Sequence, residues 1–468
     1  MESARSAVTN EGALFELLAR GNKDKYFFHD DFSAVSPFDN RYNLIPAQIH
    51  ERRRIPPLNG ADFGRTCEFE FEVAGEIFTD PTLLIDLPTW LPPTYAYKNP
   101  SLRITDLSGV SYGYTNGIAF FLFSKIQIYL DQILLQEFSG DALYAATRAR
   151  GSLNSAFLEN LQTAVTSGEV ATIAAAATPG RLRLRLPLLG CQHHDDGGVP
   201  SIAARQQTFK LRLTLRKLED LVEASDSRAK PTPWALGTTF TDGTVPFQTL
   251  LRTEVGRPTI QLETRHTYVD PDTRAALSKT PLEVPYSRLY ENIFTFGSAD
   301  YSPLLRGAVA SATRRVDATH PAGRLFFWFL SSQDIRANKY YKYLTDTGAE
   351  YYNNVSLLIA GRDRETLFSP SVWNRLQHLA KEERDPGKGL GTMNWELGEQ
   401  RGGRPPFARQ PEGSVNFTTA DRPTFYVDLA DIPVDPVTGQ KSTELHVVVD
   451  AWAMAVFDAQ RGGLKYAN

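Results

Sequence analysis

The residues of this chain that could do chemistry fall in a few short runs. Gly109-Val110-Ser111-Tyr112-Gly113 fits the G-x-S-x-G spacing that presents a nucleophilic serine between a strand and a helix in α/β-hydrolases. A helix must follow the serine at once, because its amides serve the oxyanion. Here YTNGIAFFLF follows, which reads as a loop and then a strand, so Ser111 is assigned to a turn-rich loop. Cys191-Gln192-His193-His194-Asp195-Asp196 gathers thiol, imidazole and carboxylate groups that suit zinc or another divalent ion. Adjacent histidines on a loop rarely aim at one ion, no second cluster at ligand spacing accompanies them, and Gly197, Gly198 and Pro200 mark a solvated inter-strand loop. Gly387-Lys388-Gly389-Leu390-Gly391-Thr392 has the glycines of a phosphate loop without its spacing or its strand-loop-helix frame. Arg52, Arg53 and Arg54 could hold an anion, but so short a charge run is more often a solvated face. Asn354 and Asn416 head N-glycosylation sequons that fall inside expected strands, which makes chance the better explanation. Paired carboxylates are not readable from spacing when distant residues meet in an all-β fold, so a glycoside hydrolase stays formally open. No catalytic, cofactor-binding or metal-binding residue is assigned, and no cofactor is expected.

The elements that would position any such groups are strands. In RLRLRLPLLG (181–190) and FKLRLTLRKL (209–218), Leu182, Leu184 and Leu186, then Phe209, Leu211, Leu213 and Leu215, recur at every second position, the period of a half-buried strand. The arginines between them are expected on the solvent face of a sheet. Cys67, Phe69, Phe71 and Val73 alternate with glutamates in the same way; Gly75 marks a turn and TLLIDLP (82–88) the next strand. AFFLFSKIQIYL (119–130) and QILLQEF (132–138) read as a hairpin around Asp131. The second half continues with RLFFWFL (324–330), NVSLLIA (354–360), SVNFT (414–418), PTFYVDL (423–429) and ELHVVVDAWAMAVF (444–457). Helical spacing appears at 11–20 and 153–165, residues 222–258 read as a long excursion rather than core, and Asp270-Pro271 is a turn signal after the strand at 259–269. Strands separated by turns, with helices confined to loops and 29 prolines, predict all-β sandwiches, most economically two.

Composition sets the bounds. A chain of 468 residues suits two or three domains, and 42% hydrophobic with 22% charged residues is the mixture of a folded globular protein. Lys+Arg number 50 against 54 Asp+Glu, a net charge of −4, so nothing global draws it to nucleic acid. With only Cys67 and Cys191 there is no disulfide framework, although one bridge between them stays open. The N-terminal residues lack the basic-then-apolar order of a signal peptide and no run is long enough to span a membrane, so a soluble, non-secreted protein in a reducing compartment is expected.

The order of several motifs resembles the major capsid proteins of nucleo-cytoplasmic large DNA viruses. GNKDKYFF (21–28) is similar to that family's segment leading into its first strand, and FEVAGEIFTDPTLLIDLP (71–88) to its strand-turn-strand ending in Leu-Pro. SKIQIYLDQILLQEFSGDAL (124–143) resembles its strand, turn and strand before a helical stretch, and VPSIAARQQTFKLRLTL (199–215) its apolar Pro-containing segment and alternating strand. TRHTYVDPDTRAAL (264–277), HPAGRLFFWF (320–329), PEGSVNFTTADRPTF (411–425) and the ending GGLKYAN (462–468) follow in the family's order, so the likeness spans nearly the whole chain. AWAMAVFDAQ and the 222–258 excursion depart from the pattern.

The resemblance implies a double jelly roll, two consecutive eight-stranded antiparallel sandwiches with short helices in loops. Its divisions would be an arm at 1–25, a first roll at 26–270, a linker at 271–282 and a second roll at 283–468. It implies a homotrimeric, pseudo-hexagonal capsomer of an icosahedral virion shell, assembled in the cytoplasm of the infected host cell, with no enzymatic activity. Implied partners are neighbouring capsomers, minor capsid and penton proteins and, through the arm, an inner viral membrane, with no direct nucleic-acid contact. The alternatives are a minor capsid paralogue and an all-β carbohydrate-binding protein or hydrolase.

Overall fold

Alternating apolar and polar residues build two sandwiches of the same design. The computed structural model describes residues 49–466 except 72–74, 89, 91–103, 106–110, 150–181, 190, 192–197, 225–229, 231–233, 235–238, 243–244, 249, 280, 303–308, 378–386, 397–412 and 459. The expected helices at 11–20 and 153–165, the arm at 1–25 and the loop residues Gln192 to Asp196 lie outside the described residues.

In the first half, β1 (Ile49–Ile55), β2 (Thr66–Phe71), β3 (Ile77–Asp86), β4 (Phe123–Leu130), β5 (Ile133–Phe138), β6 (Leu182–Arg185), β7 (Phe209–Leu215) and β8 (Thr259–Tyr268) form two antiparallel sheets. Their orders are β1-β8-β3-β6 and β2-β7-β4-β5. In the second half, β9 (Leu282–Phe296), β10 (Ser311–Arg315), β11 (Pro321–Ser331), β12 (Tyr352–Ile359), β13 (Arg362–Phe368), β14 (Leu390–Asn394), β15 (Thr424–Leu429) and β16 (Thr443–Asp458) give β9-β16-β11-β14 and β10-β15-β12-β13. The second order is the first shifted by eight. Short strands at Val415–Asn416 and Arg461–Leu464 extend the sheet around β11 and β16.

The period-two reading holds where one face is buried. Leu182 and Leu184 are inside while Arg183 is exposed, and Phe209, Leu211, Leu213 and Leu215 line the same interior against Cys67, Phe69 and Phe71. Cys67 and Cys191 are both buried and free; no disulfide joins them. The β4-β5 hairpin turns at Asp131, whose φ of 53° places it in the left-handed region that Asp tolerates.

Some expectations are corrected. The strand expected to begin at 119 starts at Phe123, because Ile118–Phe121 form a helical turn after Gly117, whose φ is 74°. All four helical residues are buried, and a continuous apolar run carries no period to separate helix from strand. Asp270-Pro271 starts a helix instead of a turn: the Asp270 carboxylate accepts from the Thr273 amide at 3.1 Å and Pro271 takes the first helical position of Pro271–Lys279. The 222–258 excursion is partly core. Val222, Ala224 and Trp234 are buried, Val222–Ala224 pairs with the strand Ser111–Tyr114, and Trp234 meets Trp90 at 6.4 Å. The expected strand at 414–418 shrinks to Val415–Asn416.

At the centre of the second sandwich, Phe327 lies 5.1 Å from the Phe425 ring and 5.6 Å from Tyr352, edge to face. Gly391 makes room for it: a Cβ there would come within 2.2 Å of the Phe327 ring. Phe327→Ala is expected to cost about 3–5 kcal/mol by emptying this site, read as a lowered denaturation midpoint. An unchanged midpoint would contradict the assignment of this ring to the core.

Candidate functional site

β11 is buried along nearly its whole length, which one sandwich cannot explain. Leu325, Phe327 and Phe329 point into the second sandwich, while Phe326, Trp328 and Leu330 belong to the apolar cluster continuous with the first. The outer face of β9-β16-β11-β14 is thus the floor of a junction between the sandwiches. The first sandwich covers it with β5 and with helix α1 (Gly140–Ala149), which follows β5. Main-chain groups are used from both sides: Tyr286 Oη donates to the Leu135 carbonyl at 2.6 Å, and Gln136 Nε2 donates to the Ser287 carbonyl at 2.8 Å. A second latch forms at Asn338, whose amide donates to the Val222 carbonyl at 2.6 Å and whose own carbonyl accepts from Thr115 Oγ1 at 2.6 Å.

Charges are buried here with partners. Arg216, expected on a solvent face from the alternation of its strand, instead pairs with Asp141 on α1 and lies 4.5 Å above the Tyr340 ring. Burial disfavours its charge, but Asp141 and Tyr340 more than offset that and raise its pKa. Arg148 lies 5.1 Å over Tyr343 and donates to the Lys388 carbonyl at 3.0 Å. His446 on β16 stacks on Trp328 at 5.0 Å. Its ring nitrogens stand 3.6 Å from Glu291 and 3.8 Å from Glu444, ion-pair distances beyond ordinary hydrogen-bond length. Burial pushes the imidazole pKa down, yet Glu291 and Glu444, with Asp141 behind them, outweigh it and hold it up at about 9.

The corresponding outer face of the first sandwich, β1-β8-β3-β6, has the opposite character. Arg52 and Arg54 both pair with Glu263, at 3.4 and 3.1 Å, and Arg185 pairs with Asp80 at 3.4 Å. Arg183 and Arg265 line the same shallow depression, of about 180 Å³. That is below the ~300–1,000 Å³ of ordinary small-molecule pockets.

Among the described residues the motif residues do not converge on a reaction centre. Ser111 opens the strand Ser111–Tyr114 instead of closing one, and the next helical turn begins only at Ile118. In the glycine-rich run, the Gly389 amide donates to Glu350 Oε1 at 3.1 Å, a carboxylate where a phosphate loop would hold an anion. Asn354 Nδ2 donates to Asp428 at 3.2 Å within its sheet, and Asn416 Oδ1 accepts from the Thr418 amide at 3.0 Å in a local turn. Arg53 pairs with Glu51 at 3.1 Å on the exposed strand β1. Sequence reasoning missed the junction residues Asp141, Arg216, Trp328 and His446. The available signal was that β11 and β16 carry apolar residues at consecutive positions, as strands buried on both faces do.

No family model matches the sequence, and no curated protein matches it. Among solved structures, the PBCV-1 virus capsid is similar with a TM-score of 0.66 at 14% identity, over 92% of this chain and 100% of that one. The Faustovirus major capsid protein is similar with a TM-score of 0.56 at 12% identity, over 96% of this chain and 98% of that one. With the twice-repeated strand order, this decides the architecture. The chain is a double jelly roll. Its junction is the contact between the outer sheet of the second roll and the flank of the first.

The His446 cluster gives the double jelly roll a pH signature. A histidine whose folded pKa exceeds its unfolded value of 6.5 adds stability that is complete below pH 6.5 and is lost as pH rises toward about 9. Thermal midpoints of the full chain should therefore fall between pH 6.5 and 9, and His446→Gln should flatten that slope. An identical slope in the variant would contradict the charged-imidazole assignment.

Proposed function

We propose that this chain is a structural capsid protein: three copies form a homotrimer whose six rolls make a pseudo-hexagonal capsomer, and such capsomers tile the icosahedral shell of a large DNA virus. The observation that carries this reading is the locked pair of rolls. Each chain holds two sandwiches of one strand order joined through a buried face, so a chain supplies two like blocks in fixed relation. Three such chains in cyclic symmetry repeat one head-to-tail contact and close. Antiparallel sandwiches are rigid, and loops gathered at their ends are free to contact neighbours. The likeness to the PBCV-1 capsid and the Faustovirus major capsid protein supports the same use.

In this reading the role is architectural, without catalysis. Residues 26–270 and 283–468 are the two rolls, 271–282 connects them, and residues 1–25 form an arm that reaches minor capsid proteins or an inner membrane. Neighbouring capsomers and penton proteins are the other partners, the site of action is the virion shell, and assembly takes place in the cytoplasm of the infected cell. Light scattering after size exclusion of the purified full chain tests the first step. A stable species of three chains is expected; a monomer at every concentration would overturn the capsomer.

A further inference from the structure

The outer sheet of the first roll carries positive charge that the described residues do not answer. Arg52 on β1 lies directly opposite Arg265 on β8 in the strand register, and like charges placed opposite each other in a sheet repel. Arg52 turns to Glu263 at 3.4 Å, and Arg54 reaches the same carboxylate at 3.1 Å, so Glu263 already serves two guanidinium groups. Asp80 is taken by Arg185 at 3.4 Å. Among the described residues neither Arg183 nor Arg265 has an ion-pair partner.

These groups surround a shaped hollow. Between the pairs Glu263 with Thr82 and Arg265 with Thr79, β3 carries two residues, Asp80 and Pro81, against the single Thr264 of β8. Such a bulge bends its strand and re-aims the side chains on it, and Asp80, with a φ of 51°, sits within it. Arg185 is held from two sides: it pairs with Asp80 and donates to the Cys191 carbonyl at 3.2 Å, and its side chain is only 16% exposed. The Glu263 side chain is 10% exposed and that of Arg52 67%, which puts this carboxylate at the floor and the guanidinium at the rim. Arg52, Arg183, Arg185 and Arg265 line the hollow with Asp80 and Glu263. Four cations against two anions leave two positive charges around a space of about 180 Å³.

We propose that this hollow binds a phosphate group, a tetrahedral dianion, with Arg183 and Arg265 as its principal ligands and Arg185 as a third donor already held in place. The two uncompensated charges of the lining match the two of the ligand. Guanidinium groups offer phosphate oxygens pairs of parallel N–H donors, a fork that an ammonium group lacks. The space is below that of an ordinary small-molecule pocket, so it suits a single oxyanion, either free or as the head of a larger molecule whose remainder stays in solvent. An anion seated there also relieves the repulsion between Arg265 and the Arg52 opposite it. The inference goes beyond the capsomer reading and rests on the geometry of one chain.

Isothermal titration calorimetry of the full chain with inorganic phosphate, at an ionic strength held constant with sodium chloride, tests the site. Saturable binding of one phosphate per chain is expected. Sulfate, a dianion of the same shape, should compete, and acetate, with a single charge, should not. Arg183→Gln with Arg265→Gln should weaken phosphate binding about tenfold or more while keeping the wild-type circular dichroism. Arg53→Gln, which removes a β1 arginine outside the hollow, should leave the affinity unchanged. Glycerol phosphate separates the two sources: binding as tight as that of the free ion assigns a phosphate-bearing molecule, and binding of the free ion alone assigns phosphate itself. Heat that never saturates, an affinity that survives the double variant, or an equal loss in Arg53→Gln overturns the site. Should the double variant lose its fold, competition on the wild-type chain decides: sulfate displacing phosphate where acetate does not upholds the site, and any other pattern overturns it.

Discussion

The structure depends on one strand being buried on two sides. β11 sends Phe327 and Phe329 into its own sandwich and Phe326 and Trp328 into the apolar cluster of the other. Burial of large aromatic side chains on both faces is worth about 1.5–3 kcal/mol for each residue, and it cannot be satisfied by either sandwich alone. The two rolls are therefore one mechanical body. Every charge at their boundary then has to be answered locally: Arg216 by Asp141 and Tyr340, His446 by Glu291 and Glu444. A buried charge left without its partner costs far more than the pair returns; each ion pair lies within one roll, and of these contacts Arg216 over Tyr340 joins the two.

Much of the architecture was legible because a sheet with one wet face writes its period into the chain. Leu182, Leu184 and the arginine between them, or Phe209 to Leu215, could be read directly as inside and outside. The reading failed where burial ceased to alternate. Phe120 and Phe121 sit in a helical turn within a continuous apolar run, and Trp234 joins the core from a stretch whose prolines and glycines spell loop. Asp270-Pro271 has the residues of a turn and equally those of a helix start; the Thr273 amide decides between them. The His446 cluster was not readable at all, because its members lie on β9, β16 and α1, far apart in sequence.

The two outer sheets differ in chemistry. The same position in the strand order is apolar and covered in the second roll, and arginine-rich and open in the first. Among the described residues the candidate serine, glycine-rich loop and sequons resolve into sheet pairing and local turns.

The central claim is that rolls arranged within one chain as a pair continue around a ring. Electron microscopy of the purified full-length protein at low salt tests it most directly, through projection averages down the short axis of the particle. The account predicts a six-lobed outline with threefold symmetry, each chain supplying two adjacent lobes. Isolated two-lobed bodies, or closed particles with another number of lobes, would contradict it.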